Sequence, residues 1–446
     1  MFYRRIIKYM AEWKQSVYRK PLILRGARQV GKTSVVRVFA EQYFKYYFYI
    51  NLEEKDVFNL LGNAKTVAEF EQLASIHFNM PIVPGETLIF IDEIQESETV
   101  IKLLRFFYEK RPELHVIAAG SLLEVKIAKA ELTMPVGRVE YVYLYPLDFF
   151  EYLEAHGQEN LVKFLEEVES TDAIPQGIHQ LASQHFKEYS RIGGMPETVK
   201  RHVENTAMPG SEALYSTLLT VYAEDVYKYA TTANARYLQF IIEQAPNFAG
   251  VVFTYEKFGD SEFRSREMSH AFDTLQKAMV LYQVMATTSV ELPLTPKTKR
   301  AKKLLFLDIG LVNFKSGILA KYLNKNELAS IYRGRIAEQI TGQLLMSQFQ
   351  HQPAQLYYWT VPRATSSTAE LDFCINRNGN IYGVEVKPCV SNRLRSLMSF
   401  SDVSPQSKLV RIYDGELKQE TATHAGKNYA IQSIPFYLAQ RMFELA

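Results

Sequence analysis

Gly26-Ala27-Arg28-Gln29-Val30-Gly31-Lys32-Thr33 follows the apolar run Pro21-Leu22-Ile23-Leu24 and leads into a helical pattern. A glycine-rich loop of this spacing, set between a strand and a helix, turns backbone N–H groups toward phosphates. Its lysine reaches the terminal phosphates and its threonine hydroxyl meets a magnesium ion at the helix start. Gly26, Ala27, Arg28, Gln29, Val30, Gly31, Lys32, Thr33 and the following Ser34 are therefore the expected nucleotide-binding segment, and ATP with Mg2+ is the expected ligand. An ordinary glycine turn is the bland alternative, and the complete pattern in its strand and helix context argues against it.

A second stretch sharpens the first. Thr87-Leu88-Ile89-Phe90-Ile91-Asp92-Glu93 is an apolar strand ending in two carboxylates. Magnesium takes few protein oxygens, so Asp92 is expected to supply one beside Thr33. Glu93 is then the residue that orients the attacking water. The strand His115 to Ala119 ends in Gly120-Ser121, where Ser121 is placed to sense the terminal phosphate, although turn chemistry alone accounts for Gly-Ser. Arg138, in Pro135-Val136-Gly137-Arg138, is either a transition-state cation supplied to a neighbouring subunit or an ordinary surface ion pair.

Length and composition frame these motifs. The chain has 446 residues, 47% apolar and 22% charged, which fits a folded protein of about three domains. A formal charge of +2 offers no global argument for nucleic acid, so such a role must rest on local patches. Two cysteines, Cys374 and Cys389, make no disulfide framework, and nine scattered histidines make no zinc site. Neither a secretion signal nor a membrane-spanning run is evident, and the cytoplasm is the expected location.

Along the chain, Tyr3 to Tyr18 reads as an amphipathic helix with Ile6, Ile7, Met10, Trp13 and Val17 on one side. Strand candidates at 22–24, 47–51, 87–91 and 115–119 then alternate with helical stretches, which predicts a parallel sheet with crossover helices. From Pro146 to about Tyr229 the chain turns helical, broken by Gly193-Gly194-Met195-Pro196-Glu197, which reads as a helix stop and restart. Helices followed by a small hairpin between about 233 and 313 suggest a winged helix. Its loop carries Lys297, Lys299, Arg300, Lys302 and Lys303, either a grip for phosphates or a solvated run.

The last part of the chain holds a second set of chemically suggestive residues. Leu371, Phe373 and Ile375 alternate with Glu370 and Asp372, and past the turn signal Asn378-Gly379, Tyr382, Val384 and Val386 alternate with Glu385 and Lys387. Pairing with apolar faces aligned brings Asp372, Glu385 and Lys387 together, with Glu338 offered by the helical stretch 334–346. Acids that hold a metal beside a lysine are the kit for phosphodiester cleavage. The residues serve equally as a fold that binds nucleic acid or a protein without cleaving, or as a salt-bridged hairpin face.

Together with Phe90-Ile91-Asp92-Glu93-Ile94-Gln95, Gly120-Ser121, Gly137-Arg138, Tyr145-Pro146-Leu147 and Gly193-Gly194-Met195-Pro196-Glu197, the phosphate-loop stretch resembles prokaryotic AAA+ ATPases that carry a C-terminal domain of unknown function with a restriction-endonuclease-like fold. Ala27 departs from the family's usual proline. The resemblance implies an α/β chain in four parts: an AAA+ core over 1–145, a helical lid over 146–230, a winged helix over 231–315 and an endonuclease-like domain over 316–446. It implies ATP hydrolysis with Lys32 and Glu93 in catalysis. Asp372, Glu385 and Lys387 match the nuclease signature. The expected reading is an ATP-dependent protein acting on nucleic acid, DNA before RNA, in a homo-oligomer such as a ring. The rival is a nucleotide-regulated switch or scaffold whose C-terminal domain binds a protein partner.

Overall fold

The computed structural model describes residues 2–120, 123, 125, 134–135, 137–204, 211–229, 232–318, 334–361, 369–388 and 394–446. These form two compact units, one built mainly from 1–145 and the other mainly from 146–446. Ser121 and Cys389 lie outside the described residues.

The first unit is a five-stranded parallel sheet. Its strands are β1 (Leu22–Arg25), β2 (Tyr46–Asn51), β3 (Thr87–Asp92), β4 (His115–Ala119) and β5 (Glu140–Tyr143), in the spatial order β2-β3-β4-β1-β5. Helices α1 (Ile6–Gln15), α2 (Lys32–Tyr43), α3 (Lys55–Leu61), α4 (Val67–Phe78) and α5 (Glu98–Lys110) accompany it. β3 and β4 are buried along their whole length, as expected for parallel strands covered on both faces. α5 starts where the Ser97 side chain accepts from Val100 N–H, and Val100, Leu103, Leu104 and Phe107 pack inward at helical spacing. The four predicted strands are present. β5 is an addition whose half-polar Glu-Tyr-Val-Tyr carries a weak apolar signal. α1 is shorter than the predicted 3–18: Ser16 is extended and Val17 is 83% exposed, so Ile6, Ile7, Met10 and Trp13 alone form its buried face.

The second unit carries a nine-stranded mixed sheet in the order β13-β14-β12-β11-β10-β9-β7-β8-β6. These strands are β6 (Val252–Phe253), β7 (Leu281–Thr287), β8 (Lys302–Phe306), β9 (Leu356–Thr360), β10 (Glu370–Arg377), β11 (Asn380–Lys387), β12 (Lys408–Tyr413), β13 (Lys418–His424) and β14 (Lys427–Pro435). The hairpin expected as a wing is there, as β7 and β8 in antiparallel register. β7 also pairs in parallel with β9, so this hairpin is continuous with the sheet that holds Asp372 and Glu385. That pairing spans more than sixty residues of sequence, beyond the reach of local pattern.

Buried polar groups tie the helices of this unit to its strands. Helix Gln176–Ile192 stops at Gly193 (φ 77) and helix Pro196–Glu204 follows, the stop and restart anticipated. The Asp308 carboxylate sits at this break: it accepts from Gly194 N–H at 2.6 Å, Gly310 N–H at 2.9 Å and Gln343 Nε2 at 3.2 Å. A Cβ at Gly193 would fall 2.0 Å from Asp308 Oδ1, and one at Gly194 would fall 2.0 Å from the Leu147 carbonyl oxygen. On helix Arg335–Met346, Gln339 satisfies both backbone groups of Phe306, each at 2.8 Å.

Burial pushes the Asp308 carboxyl up to about 6, against the pull of the Gly194, Gly310 and Leu311 N–H groups. Because the folded-state value lies above the unfolded one, this residue favours folding below the ordinary aspartate range and loses that contribution as pH rises to about 6, roughly 3 kcal/mol in all. The melting temperature of the native chain is therefore expected to gain on that of Asp308→Asn as pH falls from about 6 to about 4, and a gap that stays constant would contradict the assignment.

Candidate functional site

The strand β1 delivers the chain to Gly26, which packs so closely that an added Cβ would lie 2.5 Å from the Leu144 carbonyl oxygen. The loop then turns through Gln29 (φ 61) and Gly31 (φ 96) into α2, the alternation that folds a backbone into an anion-binding concavity. Lys32 is buried, and its ammonium donates to the Gly26 and Ala27 carbonyls at 2.9 Å each. Burial pushes its pKa down to about 8, opposed by the Glu93 and Asp92 carboxylates. The amine thus lies folded over the loop itself, held by acceptors that it can exchange for phosphate oxygens. Arg28 and Thr33 are half-buried, whereas Gln29 and Ser34 face solvent.

Thr33 Oγ1 donates to Asp92 Oδ2 at 2.7 Å, which joins the helix start to the end of β3. A hydroxyl and a carboxylate in contact beside a phosphate loop are the donor set that suits magnesium, so these residues fit the ion. Tyr49 OH reaches the same carboxylate oxygen at 3.4 Å. Glu93 follows in a left-handed conformation (φ 50), and its carboxylate accepts from Gln95 Nε2. Gln95 is buried, and glycine at 120 makes room for it: a Cβ there would meet Gln95 Oε1 at 2.1 Å. Neither Gln95 nor Arg4 was singled out from sequence. Arg4 is 5% exposed and donates to the Val30 carbonyl at 2.9 Å and the Tyr145 carbonyl at 2.7 Å, which anchors the phosphate loop. The signal for Gln95 was its place two residues past Glu93. Arg4 has none beyond its place at the start of the expected amphipathic helix.

Arg138 lies on the surface, donating to Glu109 Oε1 at 2.8 Å with its guanidinium 5.8 Å from the Tyr108 ring.

In the second unit, β10 and β11 pair with Phe373 opposite Val384 and Ile375 opposite Tyr382, through a turn at Asn378 (φ 51) and Gly379 (φ 80). The apolar residues align, and Asp372 comes beside Glu385: Asp372 Oδ2 accepts from Val386 N–H at 2.8 Å. Lys387 pairs with Glu385 Oε1, while Glu385 Oε2 is buried without a hydrogen-bond partner among the described residues. Glu338 joins from helix Arg335–Met346. The residue that sequence misassigned is Lys303. It was read as part of a basic loop, yet it lies in β8, 2% exposed, with its ammonium 2.5 Å from Glu338 Oε2 and 3.3 Å from Asp372 Oδ1. Burial alone would lower its pKa; the Asp372 and Glu338 carboxylates overcome that and hold it well above the ordinary lysine value. Burial, with Asp372 adding to it, pushes both Glu338 and Glu385 upward. Among the described residues, no group of three or more His, Cys, Asp or Glu side chains is arranged to hold a metal ion.

The remaining cations of the expected grip are also partly engaged. Arg300 donates to Thr360 Oγ1 at 2.9 Å and the Val361 carbonyl at 3.1 Å, and Lys302 to the Thr298 carbonyl at 3.1 Å. Lys297 and Lys299 stay exposed. No helix among the described residues is long and apolar enough to cross a membrane.

Residues 18–153 match a family described as an AAA domain. Residues 183–322 match a domain of unknown function (DUF8612), and residues 333–436 match another (DUF4143). No curated protein matches significantly. Among solved structures, the Thermotoga maritima RuvB Holliday junction branch migration motor is 15% identical, with 64% of this chain and 90% of that one covered and a TM-score of 0.31. A Drosophila ORC structure bound to DNA is 12% identical, with 70% and 94% covered and a TM-score of 0.28. Likeness this distant carries no argument about the role of this chain. The AAA-domain match over residues 18–153, set beside the loop that buries Lys32 and the Thr33–Asp92 contact, supports an ATP-binding AAA+ ATPase.

Proposed function

We propose that the chain hydrolyses ATP in its first unit and uses the nucleotide cycle to regulate how the second unit engages a partner. The observation that carries the ATPase reading is the Lys32 ammonium, buried against the Gly26 and Ala27 carbonyls one residue from a threonine in contact with Asp92. On ATP binding, Lys32 exchanges those carbonyls for oxygens of the terminal phosphates. Magnesium, held by Thr33 and Asp92, would neutralise charge that builds on the phosphates. Glu93 positions and polarises a water for in-line attack on the terminal phosphoryl group, and Gln95 fixes the carboxylate that does so. Ser121 keeps its proposed place as a sensor of the terminal phosphate. Arg138, if supplied to a neighbouring copy of the chain, must leave Glu109 to stabilise the transition state there.

For the second unit, the non-cleaving alternative is favoured over a metal-dependent nuclease built on Asp372, Glu385 and Lys387. The supporting observation is that Lys303 already pairs with Asp372 and Glu338. With Arg300 and Lys302 engaged internally, nucleic acid is left with Lys297 and Lys299 from the basic loop, so a protein partner is the better-supported occupant.

Steady-state hydrolysis with magnesium and ATP tests the first unit. Lys32→Ala is expected to abolish both binding and turnover. Glu93→Gln is expected to lower turnover on the order of 100-fold with ATP binding retained. Gln95→Ala, acting through Glu93, should cost about 10-fold in kcat with KM little changed. Turnover that survives Lys32→Ala would refute the ATPase reading, and undiminished turnover in Arg138→Ala would remove the intersubunit role.

A further inference from the structure

The carboxylates on β10, β11 and helix Arg335–Met346 match a metal-dependent nuclease by residue type, but a divalent ion does not fit the donor set that the chain assembles. The three hydrogen-bond donors of the Lys303 ammonium are met by Glu338 Oε2 at 2.5 Å, Asp372 Oδ1 at 3.3 Å and the Asp372 carbonyl at 3.2 Å. The position between an acid on the helix and an acid on β10 is thus filled by an amine carried on β8. Asp372 Oδ2, the other oxygen that a metal would take, is used by Val386 N–H at 2.8 Å. Glu385 Oε1 is paired with Lys387. The amine cannot swing clear into solvent, because Lys303 is 2% exposed and its ammonium lies 5.4 Å from the Phe373 ring and 5.8 Å from the Tyr358 ring. On the strand side it is pinned by backbone pairing to Val252 on β6 and Val284 on β7. A second cation brought to the same carboxylates would lie within a few ångströms of a fixed positive charge and be repelled.

We propose that Lys303 is a tethered replacement for the divalent cation of this carboxylate cluster, so that the native site takes no metal and becomes a metal site only when the ammonium is removed. The inference deepens the non-cleaving reading of the second unit and rests on it. It makes the cluster an ionic lock that fastens β8 and helix Arg335–Met346 to the β10–β11 hairpin, and it gives Glu385 Oε2, buried without a partner among the described residues, the character of an unused ligand.

Titration of the full chain with Mn2+, followed by electron paramagnetic resonance without nucleotide and in an Asp92→Asn background that removes the ion of the first unit, tests this directly. With Lys303 in place, adding Asp372→Asn is expected to leave manganese binding unchanged. Lys303→Met is expected to gain about one bound ion per chain and to melt higher with manganese than without, and adding Asp372→Asn should remove both effects. Manganese binding that depends on Asp372 while Lys303 is present would overturn the inference. So would a folded Lys303→Met variant that gains no ion. Should Lys303→Met fail to fold, the comparison with and without Asp372→Asn still decides, since it needs no change at Lys303. Incubation of the native chain with single-stranded DNA, duplex DNA and RNA in Mn2+ separates the two levels. Asp372-dependent binding without cleavage sinks the inference alone, whereas Asp372-dependent cleavage sinks the non-cleaving reading with it.

Discussion

The Asp308 carboxylate, shut off from water, is the constraint around which the second unit is arranged. An isolated carboxylate in a protein interior is costly, and the cost is met here by aimed donors: Gly194 and Gly310 N–H and the Gln343 amide. Each of those donors belongs to a different element, so one charge fixes the end of helix Gln176–Ile192, the start of the helix Ile309–Lys315 and the face of helix Arg335–Met346. Gln343 also accepts from Ile309 N–H at 2.9 Å and donates to Tyr189 OH at 3.3 Å, which in turn donates to the Leu147 carbonyl at 2.9 Å. Glycine at 193 follows from the same demand, since an added Cβ would fall 2.0 Å from Asp308 Oδ1, whereas at 194 and 310 it would meet the Leu147 and Ile192 carbonyl oxygens at 2.0 and 2.1 Å.

Lys32 and Lys303 apply the same physics with opposite sign and different outcomes. Both are buried ammonium groups. Lys32 donates to two backbone carbonyls among the described residues, and desolvation wins over the nearby Glu93 and Asp92 carboxylates, so its pKa falls to about 8. Such a cation is poorly compensated and gains from an arriving polyanion, which is what a phosphate site requires. Lys303 touches two carboxylates and its pKa rises instead. That cation is already compensated and gains little from any newcomer. The contrast lies in the partners: carbonyls leave the Lys32 charge poorly compensated, whereas carboxylates compensate that of Lys303.

Much of the first unit was legible because its information is local. The phosphate loop and the Asp92-Glu93 strand end each lie within a few residues, and each strand of the parallel alternation carries its own short apolar signal. β5 escaped because Glu140 and Tyr141 are half-exposed and dilute its pattern. In the second unit the β10–β11 hairpin and its aligned apolar faces are legible, since the turn at Asn378-Gly379 and the alternation on either side lie within the hairpin itself. What sequence hid was pairing at long range. Lys302 and Lys303 read as the tail of a charged loop because nothing nearby shows that β8 lies between β6 and β7, nor that β7 continues into β9. The same blindness hides that the hairpin expected as a wing is continuous with the nine-stranded sheet. Gln95 and Arg4 escape for a different reason: each acts through hydrogen bonds to a residue or carbonyls elsewhere, and no spacing rule announces that.

In the proposed cycle, Lys32 rests on the loop carbonyls until a nucleotide displaces it. A crystal structure of the chain with ADP or a non-hydrolysable ATP analogue and magnesium tests it most directly. The Lys32 ammonium is expected off the Gly26 and Ala27 oxygens and within about 3 Å of a phosphate oxygen, with the ion beside Thr33 and Asp92. Nucleotide bound elsewhere, or bound at the loop with Lys32 still on its two carbonyls, would contradict it.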